Sequence, residues 1–325
     1  MQPPPWPTPA DPAGDIATWR FAPDALNLAA RAPGISAFMR IRDGEAFLER
    51  AIRSHVDHVD EIVALHNRCA DRTPDILARL AQEFGPKLRV YRYLPDVFPP
   101  GSEGHRREPA DSSRSLVNYY NLSLCLTRFS HAMKLDDDHV AMRADFAAIA
   151  RDARRGAHGA EMSCFSGVNL ARGPDGALGV FATDPLAGAG DHGIFPVRPD
   201  TFFVHDTRFE RFQRGSLKRR FRGFAYWHLK YLKDDLGYSN YDLAANPDSR
   251  YARRLEALKA AHRVVPVAEL PTLMRWKDRA FAALGAAHVP LPEKLALKAA
   301  RWRAAPQAVA AFPALIAEGE PVQLR

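Results

Sequence analysis

The sequence predicts an α/β protein with a mostly parallel central sheet and helices on its faces. Between residues 34 and 93, short apolar runs alternate with segments of helical periodicity in the order strand, helix, strand, helix, strand. This order is typical of parallel sheets covered by helices. Polar and acidic side chains follow several of these runs, and ligands of such sheets bind at the carboxyl ends of strands. The sequence therefore predicts a binding crevice at one edge of the sheet.

Length and composition limit the class of protein. The 325 residues, 46% of them hydrophobic, suffice for one large α/β domain or two smaller ones. No run reaches the roughly 18 apolar residues of a membrane-spanning helix, and the N-terminus lacks the pattern of a secretory signal. The three cysteines show no CxxC spacing, which argues against a disulfide framework or a zinc ribbon and favours the reduced cytoplasm. The net charge of +7 favours anionic partners.

Three segments are predicted along the chain. Residues 1–33 are rich in proline and lack periodicity, which predicts an N-terminal extension draped over the domain. Residues 34–245 form the predicted domain, and residues 246–325 a basic helical C-terminal extension. Within this extension, Lys294–Trp302 has the pattern of a basic amphipathic helix. Such a helix packs on its domain or lies on an anionic membrane, and the sequence favours neither alternative.

The first part of the domain contains three predicted strands and two predicted helices. The strands are apolar runs at Ile35–Arg40, Glu61–Leu65 and Leu88–Tyr93. The first helix covers Glu45–His55, with apolar residues on one face. The second begins at Thr73, which is followed by a proline and an acidic residue, and ends at Gly85.

The elements of the second part are less regular. A long loop from Leu94 to Ser113 precedes a helix over Ser115–Phe129, which leads into an apolar strand that begins at His131. The further predicted elements are a helix over 144–155, strands at Met162–Leu170, Ile194–Val197 and Phe202–His205, and an aromatic helix over Phe224–Lys233.

Three consecutive carboxylates end the strand that begins at His131. They are Asp136, Asp137 and Asp138, and His139 follows them. Adjacent carboxylates repel each other unless a cation or hydrogen-bond donors offset their charge. Mg²⁺ and Mn²⁺ bind one or two carboxylates together with phosphate oxygens. If the strand continues through the aspartates, the first and third point to one face and the second to the other. The stretch predicts a divalent-metal site, with a solvated acidic turn as the alternative.

These residues resemble the glycosyltransferase family 2 enzymes of the GT-A fold. Ile35–Arg53 resembles their opening strand and helix, and His66–Thr73 occupies the place of their Asp-Asp-Gly-Ser-x-Asp-x-Thr turn. Lys134–Asp138 resembles their Leu-Asp-x-Asp metal motif, roughly a hundred residues after the first strand. The resemblance covers residues 34–140 and, more loosely, 160–235. It implies a Rossmann-like sheet of the GT-A type and a bacterial glycosyltransferase that builds a surface glycan.

The resemblance also implies roles for single residues. Asp138 would hold Mn²⁺ or Mg²⁺ together with Asp136, and His228 is a further candidate ligand. The nucleotide would contact polar residues near the strand ends, namely Arg40, Asn67, Asp71, Asp136 and Asp137. Asp191 and Glu210 are the candidates for the base that deprotonates the acceptor hydroxyl. The implied partners are a nucleotide-sugar donor and a glycan or lipid-linked glycan acceptor, without nucleic acid.

Two features depart from the family pattern, and two other functions stay open. His66 and Asn67 replace the first two acids of the nucleotide turn, and Tyr226–Leu229 stands where the family has its Glu-Asp base. A nucleotidyltransferase that activates a sugar phosphate could use the same fold. A basic nucleic-acid-binding module is the non-enzymatic alternative, although the sequence lacks helix-turn-helix, zinc-finger and RNA-binding sheet signatures.

Overall fold

The computed structural model describes residues 15–155, 160–188, 192–206, 210–238, 241, 243–244, 247–261 and 263–319. It confirms the predicted α/β class. The strands are β1 Asp15–Ile16, β2 Ala32–Ile41, β3 Glu61–Asn67, β4 Leu88–Tyr93, β5 Phe129–Lys134, β6 His139–Ala141, β7 Glu161–Arg172, β8 Leu178–Phe181, β9 Leu186–Ala187, β10 Gly193–Pro196, β11 Phe202–His205, β12 Glu210–Gln213, β13 Lys218–His228 and β14 Val264–Pro266. The α-helices are α1 Leu48–His55, α2 Thr73–Phe84, α3 Glu103–Arg107, α4 Leu116–Cys125, α5 Arg143–Arg154, α6 Arg250–Ala261, α7 Trp276–Ala286, α8 Glu293–Arg303 and α9 Ala305–Ala317.

The first half of the sheet is parallel. Its strands lie in the order β1-β4-β3-β2-β5, and every neighbouring pair is parallel. Ile35 and Met39 of β2 pack in one core with side chains of α1, α2 and α5, whereas Phe38 packs in a second core with α4. Helices therefore cover both faces, as the alternating pattern predicts. This arrangement brings the carboxyl ends of β2, β3 and β5 to one edge.

The second half of the sheet is mixed. β10 is antiparallel to both β5 and β7, and β13 is parallel to β7 and antiparallel to β6. The helix predicted over Phe224–Lys233 is wrong, because Phe224–His228 is the end of β13 and a 3₁₀ turn follows at Lys230–Leu232. Phe224, Tyr226 and Trp227 are all buried. A strand covered on both faces reads as an unbroken apolar run, which periodicity cannot distinguish from a buried helix.

The acidic strand ends earlier than the sequence predicts. β5 ends at Lys134, and the three aspartates lie in the turn before β6. The backbone N–H of His139 donates to the carbonyl of Asp136 across this turn, at 3.2 Å. The alternation of side chains along a strand therefore does not apply, and Asp137 shares a cation with Asp138 instead of facing away from it.

Both predicted extensions pack on the domain where they are described. β1 pairs with β4, Leu26 is fully buried, and β2 already begins at Ala32, two residues before the predicted start of the domain. In the C-terminal segment, α8 buries Leu297 and Trp302. The structure thus selects packing over membrane contact for the apolar face of this helix. None of the helices among the described residues has the length and apolar character to cross a membrane.

Candidate functional site

A cleft of about 870 Å³ lies at the carboxyl edge of the parallel strands. Its floor is the turn from Asp136 to His139, and β2 and β3 supply one wall. The opposite wall comes from the end of β13 and the residues after it. The polar lining of the cleft includes Arg40, Asn67, Asp136, Asp137, Asp138, His139, Asn169, Asp184, His192, His228, Lys230, Lys233 and Arg254. The fold therefore brings most of the predicted site residues into one crevice.

Asp136 lies between two cations. Its carboxylate is 3.1 Å from Lys134 Nζ and 3.6 Å from Arg40 Nη2. The guanidinium of Arg40 stacks on the ring of Tyr120, 3.1 Å from the ring centroid, which fixes its position. Burial alone would raise the pKa of Asp136, but Lys134, the nearby histidines and Arg40 outweigh burial and lower it. Asp136 is therefore ionised in the cleft.

Asp137 and Asp138 share the ammonium of Lys233. Lys233 Nζ lies 2.9 Å from one oxygen of each carboxylate. Burial raises the pKa of Asp137 to about 6. Burial also disfavours the charge on Asp138, but Lys233 and His228 outweigh it and hold the pKa of this carboxyl well below its usual range. Both carboxyls are therefore ionised at neutral pH, but Asp138 keeps its charge to a lower pH than Asp137 and is the stronger ligand candidate.

The orientation of His228 follows from its hydrogen bonds. Asn169 donates its amide N–H to the carbonyl of Asp184 at 2.9 Å, so its amide oxygen accepts from His228 Nδ1 at 2.8 Å. In the neutral ring, Nε2 then presents a lone pair to Asp138 Oδ1, 3.3 Å away. Two facing lone pairs repel each other unless a cation lies between them or the ring is protonated. A second residue that holds the other ring nitrogen in this way is typical of metal-binding histidines.

His139 completes a set of candidate ligands. Its ring stacks on Tyr226 with the centroids 3.9 Å apart, and burial lowers its pKa well below the usual value. A neutral imidazole is the form that binds metals. Ligand atoms of Asp138, His139 and His228 lie within 4.8 Å of one another, and so do those of Asp136, His139 and His192. Carboxylate and imidazole groups converge here, and this donor set fits a divalent transition-metal ion.

A glycine in β7 makes room for this arrangement. A Cβ atom at Gly167 would lie 2.3 Å from the ring of Tyr226. Any side chain there would displace Tyr226 and with it the stacked ring of His139. Gly167, which interrupts an apolar strand in the sequence, therefore supports the site through Tyr226.

Asn67 and Asp71 are held by the backbone around them. Asn67 is buried in the cleft wall, and its amide donates to the carbonyls of Tyr93 and Pro95, both at 2.7 Å. The carboxylate of Asp71 accepts from the backbone N–H groups of Glu45, at 2.8 Å, and Thr73, at 3.0 Å. Asp71 thus joins the loop after β3 to the start of the first helical segment, and it is not among the described lining residues.

The two candidates for the base are placed differently. Asp191 lies outside the described residues. Glu210 begins β12, which pairs with β11 in a separate two-stranded sheet, and it is not among the described lining residues. Burial, together with the nearby charge of Glu210, raises the pKa of Tyr120 well above its usual value. Glu210 therefore lies close to Tyr120, the residue that supports Arg40.

Sequence reasoning missed several polar residues of the cleft. The sequence predicts Lys233 within a helix and Asn169 within the strand Met162–Leu170, and it assigns a role to neither. Arg254, which pairs with Asp184, is another such residue. A polar residue inside an apolar strand is the one local signal that could have marked Asn169, because buried polar groups need partners.

Comparisons with known proteins give only distant similarities. No protein-family profile matches the chain, and no curated protein matches it in sequence. The structure of S. aureus TarS 1–349 is 10% identical over 85% of this chain and 91% of that one, with a TM-score of 0.34. Glucosyl-3-phosphoglycerate synthase from Mycobacterium tuberculosis, solved with Mn²⁺, uridine diphosphate and glucosyl-3-phosphoglycerate, is 18% identical over 49% of this chain, with a TM-score of 0.26. The match spans 52% of that synthase.

Proposed function

We propose that the protein is a metal-dependent glycosyltransferase that moves a sugar from a nucleotide-sugar donor to a glycan acceptor. The observation that supports this best is the convergence of Asp138, His139 and His228 at the carboxyl end of β5, inside a cleft large enough for a nucleotide sugar. The resemblance of Lys134–Asp138 to the metal motif of family 2 enzymes points the same way. A bacterial surface glycan, from capsule or lipopolysaccharide, is the acceptor that the resemblance implies.

The donor set suggests which ion the cleft prefers. Asp136, Asp138, His139 and His228 would hold it, and imidazole ligands suit Mn²⁺ better than Mg²⁺, which favours oxygen ligands. When bound, the ion would neutralise negative charge on the departing nucleoside diphosphate. Fixed cations of the chain would add to this electrostatic stabilisation without reorganising. Arg40 and Lys230 are the best placed of these cations.

The remaining steps belong to side chains around the ion. Asn67 would border the nucleoside, and Asp71 would hold the loop that shapes this wall. A base must remove the proton of the acceptor hydroxyl as the sugar transfers. Asp191 and Glu210 remain the candidates, and Glu210 lies close to Tyr120 of the cleft lining.

Experiments can distinguish the two alternative functions from the proposed glycosyltransferase. A nucleotidyltransferase would also bind a nucleotide with a divalent ion, but it would form a nucleotide sugar and release pyrophosphate. A nucleic-acid-binding module would lose affinity steeply with salt. The ligand set of His228 and Asp138 favours the metal-dependent enzymes, because binding to phosphate backbones requires only lysine and arginine.

Thermal unfolding in the presence of nucleotides tests the proposed function. The protein should be stabilised by one nucleoside diphosphate or its sugar conjugate in Mn²⁺, and far less in EDTA. A ligand at 100 times its dissociation constant adds about 2.7 kcal/mol to the free energy of unfolding. A screen in which no nucleotide or nucleotide sugar shifts the midpoint would reject the proposal.

We also propose a peripheral membrane contact, through α7 instead of the buried face of α8. Trp276 at the start of α7 is 74% exposed, and Ala280, Ala283 and Leu284 continue an exposed apolar stripe at helical spacing. Lys277 and Arg279 are exposed beside it. The sole acid between residues 275 and 292, at position 278, is buried and paired with a lysine of α8 at 2.6 Å. A tryptophan with basic neighbours fits an anionic bilayer.

Sedimentation with lipid vesicles tests this contact. The protein should pellet with vesicles that contain phosphatidylglycerol and stay in the supernatant with neutral phosphatidylcholine. Trp276→Ala should lower the bound fraction severalfold, whereas Leu28→Ala, which removes another exposed apolar side chain, should not. Equal binding of the two variants, or equal binding to both kinds of vesicle, would reject α7 as the anchoring surface.

A further inference from the structure

Lys233 occupies the acidic turn in a way that bears on how an ion enters it. Its ammonium contacts Asp137 Oδ2 and Asp138 Oδ2, both at 2.9 Å, and its side chain is 18% exposed. The other oxygen of Asp138 faces His228 Nε2 at 3.3 Å. Asp138 is thus divided between two partners, a fixed cation on one oxygen and the candidate metal position on the other.

The carboxylates of the turn are matched by cations of the chain. Lys134 and Arg40 face Asp136, and Lys233 faces the other two aspartates. Three negative groups therefore meet three positive groups, all supplied by the protein. The histidines of the candidate site add ligand atoms without negative charge when they are neutral. A free divalent ion would meet a ligand set without net negative charge.

The affinity of carboxylate sites for hard divalent ions depends on the charge of the ligands. A divalent ion that approaches Asp138 would be attracted by the carboxylates and repelled by Lys233 and Arg40. A nucleoside diphosphate changes this balance, because its phosphate oxygens bring two or more negative charges and extra ligands to the same ion. Any such effect is reciprocal, so the ion raises nucleotide affinity by the factor by which the nucleotide raises ion affinity.

We propose that Lys233 makes ion binding conditional on the nucleotide. By neutralising the acidic turn, it keeps the free ion weakly bound and lets the ion and the nucleoside diphosphate enter as a mutually dependent pair. This inference rests on the proposed function for the identity of the second ligand. The effect of Lys233 on the free ion follows from the charges of the cleft alone.

Titration with Mn²⁺, followed by the electron paramagnetic resonance signal of the free ion, tests the proposal. Wild-type protein should bind Mn²⁺ at least tenfold more tightly with a saturating nucleoside diphosphate than without one. The uridine, guanosine, thymidine and cytidine diphosphates are tried in turn. Lys233→Met should raise the affinity for Mn²⁺ alone at least tenfold and reduce the coupling, whereas Lys233→Arg should behave like wild type. Lys277→Met, the same change on α7, is the control and should have no effect.

A second variant tests the same charge balance in case Lys233→Met does not fold. Asp137→Asn removes one carboxylate and leaves Lys233 paired with Asp138, so it should weaken binding of Mn²⁺ alone at least threefold. Unchanged Mn²⁺ affinity in a folded Lys233→Met or Asp137→Asn protein overturns the proposal, and so does equally tight binding by wild type with and without a bound nucleotide. If no nucleotide binds, the proposed function fails, while the two variants still decide the role of Lys233 from Mn²⁺ alone.

Discussion

Two groups of aspartates lie at the ends of neighbouring strands, and their carboxylates do different work. Asp43 and Asp71, beside β2 and β3, accept backbone N–H groups at 2.7 to 3.0 Å. Asp136 and Asp138 face side-chain cations and imidazoles instead. A backbone partner is covalently part of the loop it holds, whereas a cation can be exchanged for another cation. The kind of partner that a carboxylate has therefore distinguishes a structural aspartate from a candidate metal ligand.

This difference matters because both groups have the spacing of metal ligands. Ligand atoms of Asp43, Cys69 and Asp71 also lie within 4.8 Å of one another. Both oxygens of Asp71 and one oxygen of Asp43 accept backbone N–H groups. Burial raises the pKa of the Cys69 thiol, which keeps it in the protonated form that binds metals poorly. We expect the ion at the Asp138 group and none at the Asp43 group.

The largest expected effect is at Asp138. Asp138→Asn should weaken nucleotide binding in Mn²⁺ about a hundredfold, or about 2.8 kcal/mol. The amide removes the charge that faces the ion, while Asp137 keeps its contact with Lys233, so the variant should stay folded. Isothermal titration of nucleotide in Mn²⁺ measures the change. An affinity equal to that of wild type would place the ion elsewhere and end the contrast between the two groups.

A smaller effect, on stability instead of binding, is expected at Asp71. Asp71→Ala removes the acceptor of two backbone N–H groups, and loss of such a cap costs about 1–2 kcal/mol. Denaturant unfolding should show this decrease in the free energy of unfolding. Binding of Mn²⁺ in the presence of nucleotide should keep the stoichiometry of wild type. A lost equivalent of Mn²⁺ would make Asp71 a ligand after all.

The smallest effect is expected at Asp43. This residue has φ of 53°, and its carboxylate accepts the N–H of Ala70 at 2.7 Å. Asparagine tolerates the same left-handed backbone and keeps an acceptor oxygen. Asp43→Asn should therefore change the free energy of unfolding by less than about 0.5 kcal/mol, with Mn²⁺ binding unaltered. A clear loss of metal affinity would show that charge at this group matters and would weaken the comparison.

The parallel half of the fold could be predicted because its signals are local. Each strand from β2 to β4 is a short apolar run, and α2 begins with Thr73 and Pro74 and ends before Gly85, so neighbouring residues define the element. The strand β13 could not be assigned in this way. Its apolar run is compatible with a helix, and only pairing with β7 and β6 makes it a strand.

The residues of the candidate site also differ in whether a local signal in the sequence marks them. The three aspartates are visible as a run, and His228 is a candidate ligand from the sequence, which the structure places 3.3 Å from Asp138. Lys233 lies 96 residues from Asp137, and Asn169 lies 59 residues before His228. Contacts at such separations leave no periodic trace in the sequence. They depend on the order of strands, which was the part of the topology that the sequence did not predict.

The strand β13 connects the C-terminal helix α8 with the cleft. At its start, Arg219 pairs with Glu293 of α8 at 2.8 Å, and at its far end His228 enters the cleft. His228 lies nine residues after Arg219 along the strand, so roughly 30 Å at most separates these points. The same strand therefore contacts the C-terminal helix α8 at one end and positions His228 at the other. Recombination between related genes would preserve the cleft only if β13 and the segment after it were inherited together. In a chimeric enzyme, β13 and the segment after it would likewise have to come from the same parent.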